Sequence, residues 1–172
     1  MRWLAKFLRS RAAIAATEFA LVLPVGILLL VGTSEVGTLM LLDRKVTRAA
    51  HIAADLIAQT TSVSESDVNN VFDAMEAILL PFPGSVSMII TSVYQEPGED
   101  DPSVDWSESR GGTAETGTYT LPSGLVADGE SVIVARVTYQ HTPLFDDFIL
   151  GEMTITDVAY LKPRRTLRVT GP

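Results

Sequence analysis

Two hydrophobic patterns run into each other at the start of this chain. From Ala12 to Ser34 the sequence is almost continuously apolar, interrupted by one acid, Glu18. Beyond Leu39–Leu42 the apolar positions thin to a helical spacing. Val46, Ala49, Ala50, Ala53, Leu56 and Ile57 recur, with Asp43, Arg44, Lys45, Arg48 and Asp55 on other faces. No turn signal separates the two patterns, so they predict one long helix from about residue 8 to about residue 60. Pro24 removes a backbone donor, and Gly32 and Gly37 soften the join, so a bend is expected near Pro24 or Gly37.

A second helix is announced by Ser64-Glu65-Ser66-Asp67. Ser64 is placed to cap, and Asp67 stands third in the first turn. Val68, Val71, Phe72, Met75, Ile78 and Leu79 form its apolar face through residue 80, before Pro81 and Pro83 end it. The pattern then turns β-like. Residues 85–94 read as a strand and 96–103 as an acidic loop with Pro97, Gly98 and Pro102. Val104-Asp105-Trp106 reads as a short strand. Residues 107–129, rich in Gly, Ser and Thr, are expected to cross the surface with a β-like piece at 118–121. Residues 131–140 are apolar enough for a central strand, and 153–161 alternate as the last one, after a connection over 143–151. Two helices followed by an antiparallel sheet of about four strands give an α+β body with the helices on one sheet face.

Charge gives the apolar stretch a direction. Among 172 residues, Arg2, Lys6, Arg9 and Arg11 precede it with no acid between them. The rest of the chain carries the other nine cations and all 21 acids. The basic tip fits a cytoplasmic leader and an extracytoplasmic body. The acidic body speaks against nucleic-acid binding, which requires a basic face. Cysteine is absent, so there is no disulfide framework, zinc–thiolate site or thiol nucleophile.

The uncharged residues between Glu18 and Glu35 cover about 24 Å as a helix, somewhat less than the bilayer core of about 30 Å. Extending the segment back to Ala12 gives about 34 Å, enough to span. Glu18 then lies inside the hydrocarbon, where an ionised acid costs about 2.5–3.5 kcal/mol at mid-depth. A cleaved secretory signal fits poorly, because the Ala-rich run precedes the apolar core instead of following it. A plain anchor explains the span but not the acid.

Glu18-Phe19, followed by an apolar run with Pro24 and preceded by a short basic leader, resembles the N-terminus of type IVb pilins. More closely it resembles the TadE-like minor pseudopilins of Tad/Flp (tight adherence) pilus systems. Val104-Asp105-Trp106-Ser107, Val137-Thr138-Tyr139 before Pro143, and Tyr160-Leu161-Lys162-Pro163-Arg164-Arg165 add softer landmarks of that group. The resemblance implies a pilin-like fold and a prepilin peptidase cut between Ala13 and Ile14, with Ala13 standing where the family usually carries Gly. It implies that Glu18, beside Phe19, pairs with the freed N-terminal amine of a neighbouring subunit. The apolar face Phe19–Val31, with Leu21, Leu23, Pro24 and Leu28, would be the helix-packing surface.

The implied layout is a basic cytoplasmic leader over 1–13, a transmembrane helix over 14–42 and a periplasmic α+β domain over 43–172. That domain would be helical over 43–80, mainly β over 85–161, and basic over its tail, 162–172. The implied role is a non-enzymatic minor pilin that helps assemble or prime a pilus for surface adhesion. It would be held in a bacterial inner membrane and incorporated into an extracellular pilus. Its partners would be other pilins, the prepilin peptidase, the membrane and the inner-membrane assembly platform. The alternative is a permanently anchored periplasmic scaffold or binding protein that is not processed as a pilin.

Little other chemistry stands out. His51 and His141 read as unrelated helix and loop residues. Glu96, Glu99, Asp100, Asp101, Asp105 and Glu108 offer hard oxygen ligands, but not in the spacing of a calcium loop, so a solvated acidic loop is the better reading. No nucleophile elbow, phosphate loop or His-Glu-x-x-His motif occurs. No catalytic residue, metal or cofactor is expected. The basic end, Lys162, Arg164, Arg165 and Arg168, reads as a solvated tail, with docking onto an acidic neighbour as the alternative. Trp106 reads as a core aromatic.

Overall fold

The computed structural model describes residues 11–82, 84–143 and 151–172. Residues 1–10 of the basic leader and most of the 143–151 connection lie outside these. The chain divides into two compact units, the first ending at Met40 and the second running Leu41–Pro172. Helix α1 covers Arg11–Ala58 and α2 covers Glu65–Leu79. The strands are β1 (Ser85–Tyr94), β2 (Ser103–Arg110), β3 (Ser131–His141) and β4 (Met153–Leu161). They form one antiparallel sheet in the order β2-β1-β3-β4. The architecture is α+β.

α1 is helical throughout, past both Pro24 and Gly37. In the second unit it buries Leu42, Val46, Ala49, Ala50, Ala53, Ala54 and Ile57. Four of these are alanines. Leu56, expected on this face, is instead exposed, and Ala54 takes the inward position. α2 begins with a capping box. The Ser64 hydroxyl accepts the Asp67 amide, and the Asp67 carboxylate accepts the Ser64 amide. Val68, Val71, Phe72, Met75 and Leu79 are buried, as the apolar face predicts.

The last turn of α2 is held from outside. Lys45 of α1 donates from Nζ to the carbonyls of Ile78 (2.7 Å) and Leu80 (2.5 Å). A cation there satisfies free carbonyls and meets the negative end of the helix dipole. Leu80 itself is extended, as suits a residue before proline.

Strict alternation along the central strands splits the core in two. Ile133, Ala135, Val137 and Tyr139 of β3, with Met88 and Ile90 of β1 and Ala159 of β4, join the α1 and α2 side chains in the main core. The intervening Val132 and Val134, with Val93, face the opposite side and pack with Tyr119, Leu121, Leu125 and Val126. β3 is therefore apolar on both faces because both are covered. The 111–130 segment forms that second cover and does not merely cross the surface. Its Thr118–Leu121 stretch is not a strand: Thr118 makes a single bridge to Ser103.

β2 is longer than the Val104-Asp105-Trp106 core that its sequence marks. It continues to Arg110 by pairing with β1 as far as Met88↔Arg110, with a bulge at Ser92/Val93. Its polar composition suits an edge strand whose side chains are mostly half-buried. Arg110 ties this edge to α2, reaching Asp73 (2.6 Å), Glu76 (3.2 Å) and the Asn69 side chain (3.1 Å), with its guanidinium 5.2 Å from the Phe72 ring centre. The bond to Asp73 first, and Glu76 next among the charges, raise the Arg110 pKa further above its ordinary value.

Candidate assembly surface

The first unit presents its apolar side chains outward. Every described side chain from Ile14 to Leu30 is exposed. Phe19 is 65% exposed, Leu21 80% and Leu23 43%. Leu28 and Ile14 are exposed as well. The helix that continues from it, Ile14–Ala58, is long and apolar enough to cross a membrane. A helix that is apolar all round needs lipid or other helices around it.

Its threonine hydroxyls are already satisfied within the helix. The hydroxyl of Thr17 donates to the Ile14 carbonyl at 2.8 Å, and that of Thr33 to the Leu29 carbonyl at 2.7 Å. Such back-bonding removes the cost of a hydroxyl in hydrocarbon. Pro24 has no N–H for the Ala20 carbonyl, one turn earlier. Glu18 differs from the threonines. Its side chain is exposed, and among the described residues no ion pair or hydrogen bond engages its carboxylate. Ile14 lies about one helical turn before it, some 6 Å along the axis.

Residues 13–55 match the family model described as TadE-like protein. The N-terminal helix therefore carries a TadE-like region. It starts at Ala13 and takes in Ile14, Glu18, Phe19, Leu21, Leu23, Pro24 and Leu28 before ending within the body portion of α1. It agrees with the resemblance that Glu18-Phe19 and Pro24 carry, and it supports involvement in a Tad pilus system. Residues beyond 55, including α2 and the whole sheet, lie outside the match. No curated protein matches the chain, and no solved structure does.

The acidic residues of the body do not gather at one point. Glu96, Glu99, Asp100 and Asp101 line a shallow groove with Ser103 and Thr118. Asp105 is taken by Arg168, and Glu108 sits in the β1–β2 ladder opposite Ile90. Among the described residues no group of three or more His, Asp or Glu is placed to hold a metal ion. His51 is exposed on α1 and His141 is a buried residue ending β3.

The basic end corrects the expectation of a solvated tail. Arg168 grips Asp105 through Nε and Nη2 and stacks 4.3 Å from the Tyr94 ring centre. Arg164 pairs with Asp55, and its amide donates to the Ala58 carbonyl at the end of α1. Val169 is fully buried. Thr170 pairs with the 61–63 segment, its amide donating to Thr61 and its carbonyl accepting from Val63. The acidic neighbours the tail docks onto belong to its own chain.

Proposed function

We propose that this protein is a minor pilin or pseudopilin that helps assemble or prime a Tad/Flp pilus for surface adhesion, with a structural and non-enzymatic role. The observation that carries the reading is the exposed apolar helix surface over 14–30, interrupted there by one acid, Glu18, and lying inside the TadE-like region. In hydrocarbon that acid needs an opposite charge. A freed amine at Ile14 of a neighbouring subunit supplies one, once prepilin peptidase cuts after Ala13.

In this reading the four cations before Ala12 keep the leader in the cytoplasm and place the acidic body in the periplasm. Phe19, Leu21, Leu23, Pro24 and Leu28 then pack against the helices of other pilins. Close packing there replaces lipid contacts, and Gly26 and Gly32 leave room for a neighbouring backbone. The inner-membrane assembly platform is the further partner.

Mass spectrometry of the native protein tests the reading. A mature N-terminus at Ile14, in protein that co-purifies with pili, is the expected result. An intact Met1 in cells with active prepilin peptidase overturns it in favour of a permanently anchored periplasmic scaffold.

A further inference from the structure

Among the described residues, the Leu41–Pro172 unit exposes five large apolar side chains: Leu41, Leu56, Leu80, Met153 and Leu167. Three of them share one end of the body. Lys45 fixes the place of Leu80, because its ammonium bonds the Leu80 carbonyl and lies 5.5 Å from the Phe82 ring centre. Leu41 stands one helical turn before Lys45, about 6 Å along α1. Ser85, next after this turn, pairs with Gln140, and the following rung of the sheet joins His141 to Met153. Leu41, Leu80 and Met153 therefore sit where α1 enters the body and where β1 and β4 begin. Leu167 marks the other end of the sheet: its carbonyl accepts the amide of Ser131, which pairs with Tyr94 at the far end of β1.

Leu80 is 67% exposed and follows directly on the last turn of α2. It is the most exposed of the five. Arg44 and Arg48 stand exposed on the adjoining turns of α1. Exposed apolar side chains directly after an apolar span, with Arg44 and Arg48 about one and two turns beyond Leu41 on the same helix, suit the boundary between acyl chains and anionic headgroups.

We propose that this end of the body is a second membrane contact, with Leu41, Leu80 and Met153 inserted into the lipid–water interface and Arg44 and Arg48 on anionic headgroups. The proposal rests on the reading that the apolar helix crosses the bilayer. The contact is small, and it is made by a body already tethered to the surface, where a high effective concentration lets weak contacts hold. It is also reversible, so a subunit drawn into a filament can leave it.

The absence of cysteine makes the test direct. Single variants of the full-length protein, Leu28→Cys, Leu80→Cys, Met153→Cys and Leu167→Cys, are labelled with an environment-sensitive fluorophore. They are reconstituted in phosphatidylethanolamine–phosphatidylglycerol vesicles containing lipids with a quencher at a shallow or a deep position. All four side chains are exposed, so no core contact is lost. Labels at 80 and 153 are expected to be quenched by the shallow lipid about twofold more than the label at 167, as interfacial insertion requires. Equal quenching at 80, 153 and 167 overturns the proposal. Shielding of the label at 80 from an aqueous quencher, without lipid quenching, overturns it in favour of a protein neighbour. Deep quenching at 28 with none at 80 and 153 leaves the span standing and removes only the second contact. No deep quenching at 28 overturns both.

Discussion

The indole of Trp106 donates to the carbonyl of Val169 at 2.9 Å, with the Val169 side chain fully buried beside it. Gly171 then passes so close that a Cβ there would lie 2.3 Å from Trp106 Cγ. Edge strand and chain end are thus fitted to each other. Since Arg164 and Thr170 also hold the end of α1 and the 61–63 segment, the tail fastens α1 to the far edge of the sheet. Both attachments lie within the Leu41–Pro172 unit.

Breaking this fastening is expected to cost stability out of proportion to its terminal position. Trp106→Phe keeps an aromatic ring, smaller than the indole, and leaves the Val169 carbonyl without its donor, a loss of about 1 kcal/mol from the hydrogen bond. Gly171→Ala forces the tail off the indole and is expected to cost at least as much. Thermal unfolding of the detergent-solubilised full chain checks both, with melting points lower by a few degrees. Unchanged melting points would show that the tail is not part of the folded unit.

How far the sequence foretold this body depends on the range of the interactions. The bounds of β1 and β4 and the Ser64 cap are read directly, because alternation and capping are local patterns. The tail is not. Arg164 and Asp55 stand 109 residues apart, and Arg168 and Asp105 stand 63 apart. No periodicity joins such pairs, so four cations near a chain end read as solvated. The 111–130 cover is hidden in the sequence for a related reason: its Gly, Ser and Thr mask the few apolar residues, Tyr119, Leu121, Leu125 and Val126, that pack on the sheet. The available signal was β3 itself, whose apolar residues on both faces require a cover on each.

That cover hangs on a polar pin. Arg136 of β3 pairs with Glu115 and also donates to the Tyr119 hydroxyl at 3.0 Å. Burial, the largest influence, raises the Tyr119 pKa above its ordinary value, while the Arg136 charge pulls it down. The phenol stays neutral and accepts the guanidinium N–H. Glu115→Gln is expected to weaken this pin by about 1–2 kcal/mol, because the charge-assisted bond becomes a neutral one. Hydrogen exchange should quicken across residues 113–126 with little change in α2. Equal protection in variant and parent would mean that apolar packing alone holds the cover.

The second helix should carry an acid-sensitive start. Ser64→Ala removes the cap and is expected to cost about 1 kcal/mol at neutral pH. The hydroxyl of Ser64 first, and its amide second, hold the Asp67 carboxyl below its ordinary value. Likewise, the hydrogen bond and charge of Lys162 lower the Glu130 pKa. A depressed folded pKa adds stability above the unfolded value and loses it as pH falls through the folded one. Stability should therefore decline below about pH 4, where the unfolded carboxylates titrate. Asp67→Asn should flatten part of that decline in melting points taken across the acid range. A variant as acid-sensitive as its parent would remove Asp67 from the account.

The assembly reading makes its sharpest demand on Glu18. Its carboxylate stands on the exposed surface of a helix whose neighbouring hydroxyls, Thr17 and Thr33, are satisfied internally. Glu18→Gln keeps the shape and removes the charge, so it lowers the cost of the span by up to about 2–3 kcal/mol. A plain anchor would be as good or better with Gln, and its level in the membrane should hold or rise. A pilin that uses the acid to draw in a neighbour's amine should lose assembly while its body keeps the same melting point. Counting surface pili and measuring attachment in the chromosomal variant separates the two. Piliation reduced by an order of magnitude or so, as loss of a charge pair in a low-dielectric setting implies, supports the pairing role. Normal piliation with Gln at this position would leave Glu18 without a part in assembly.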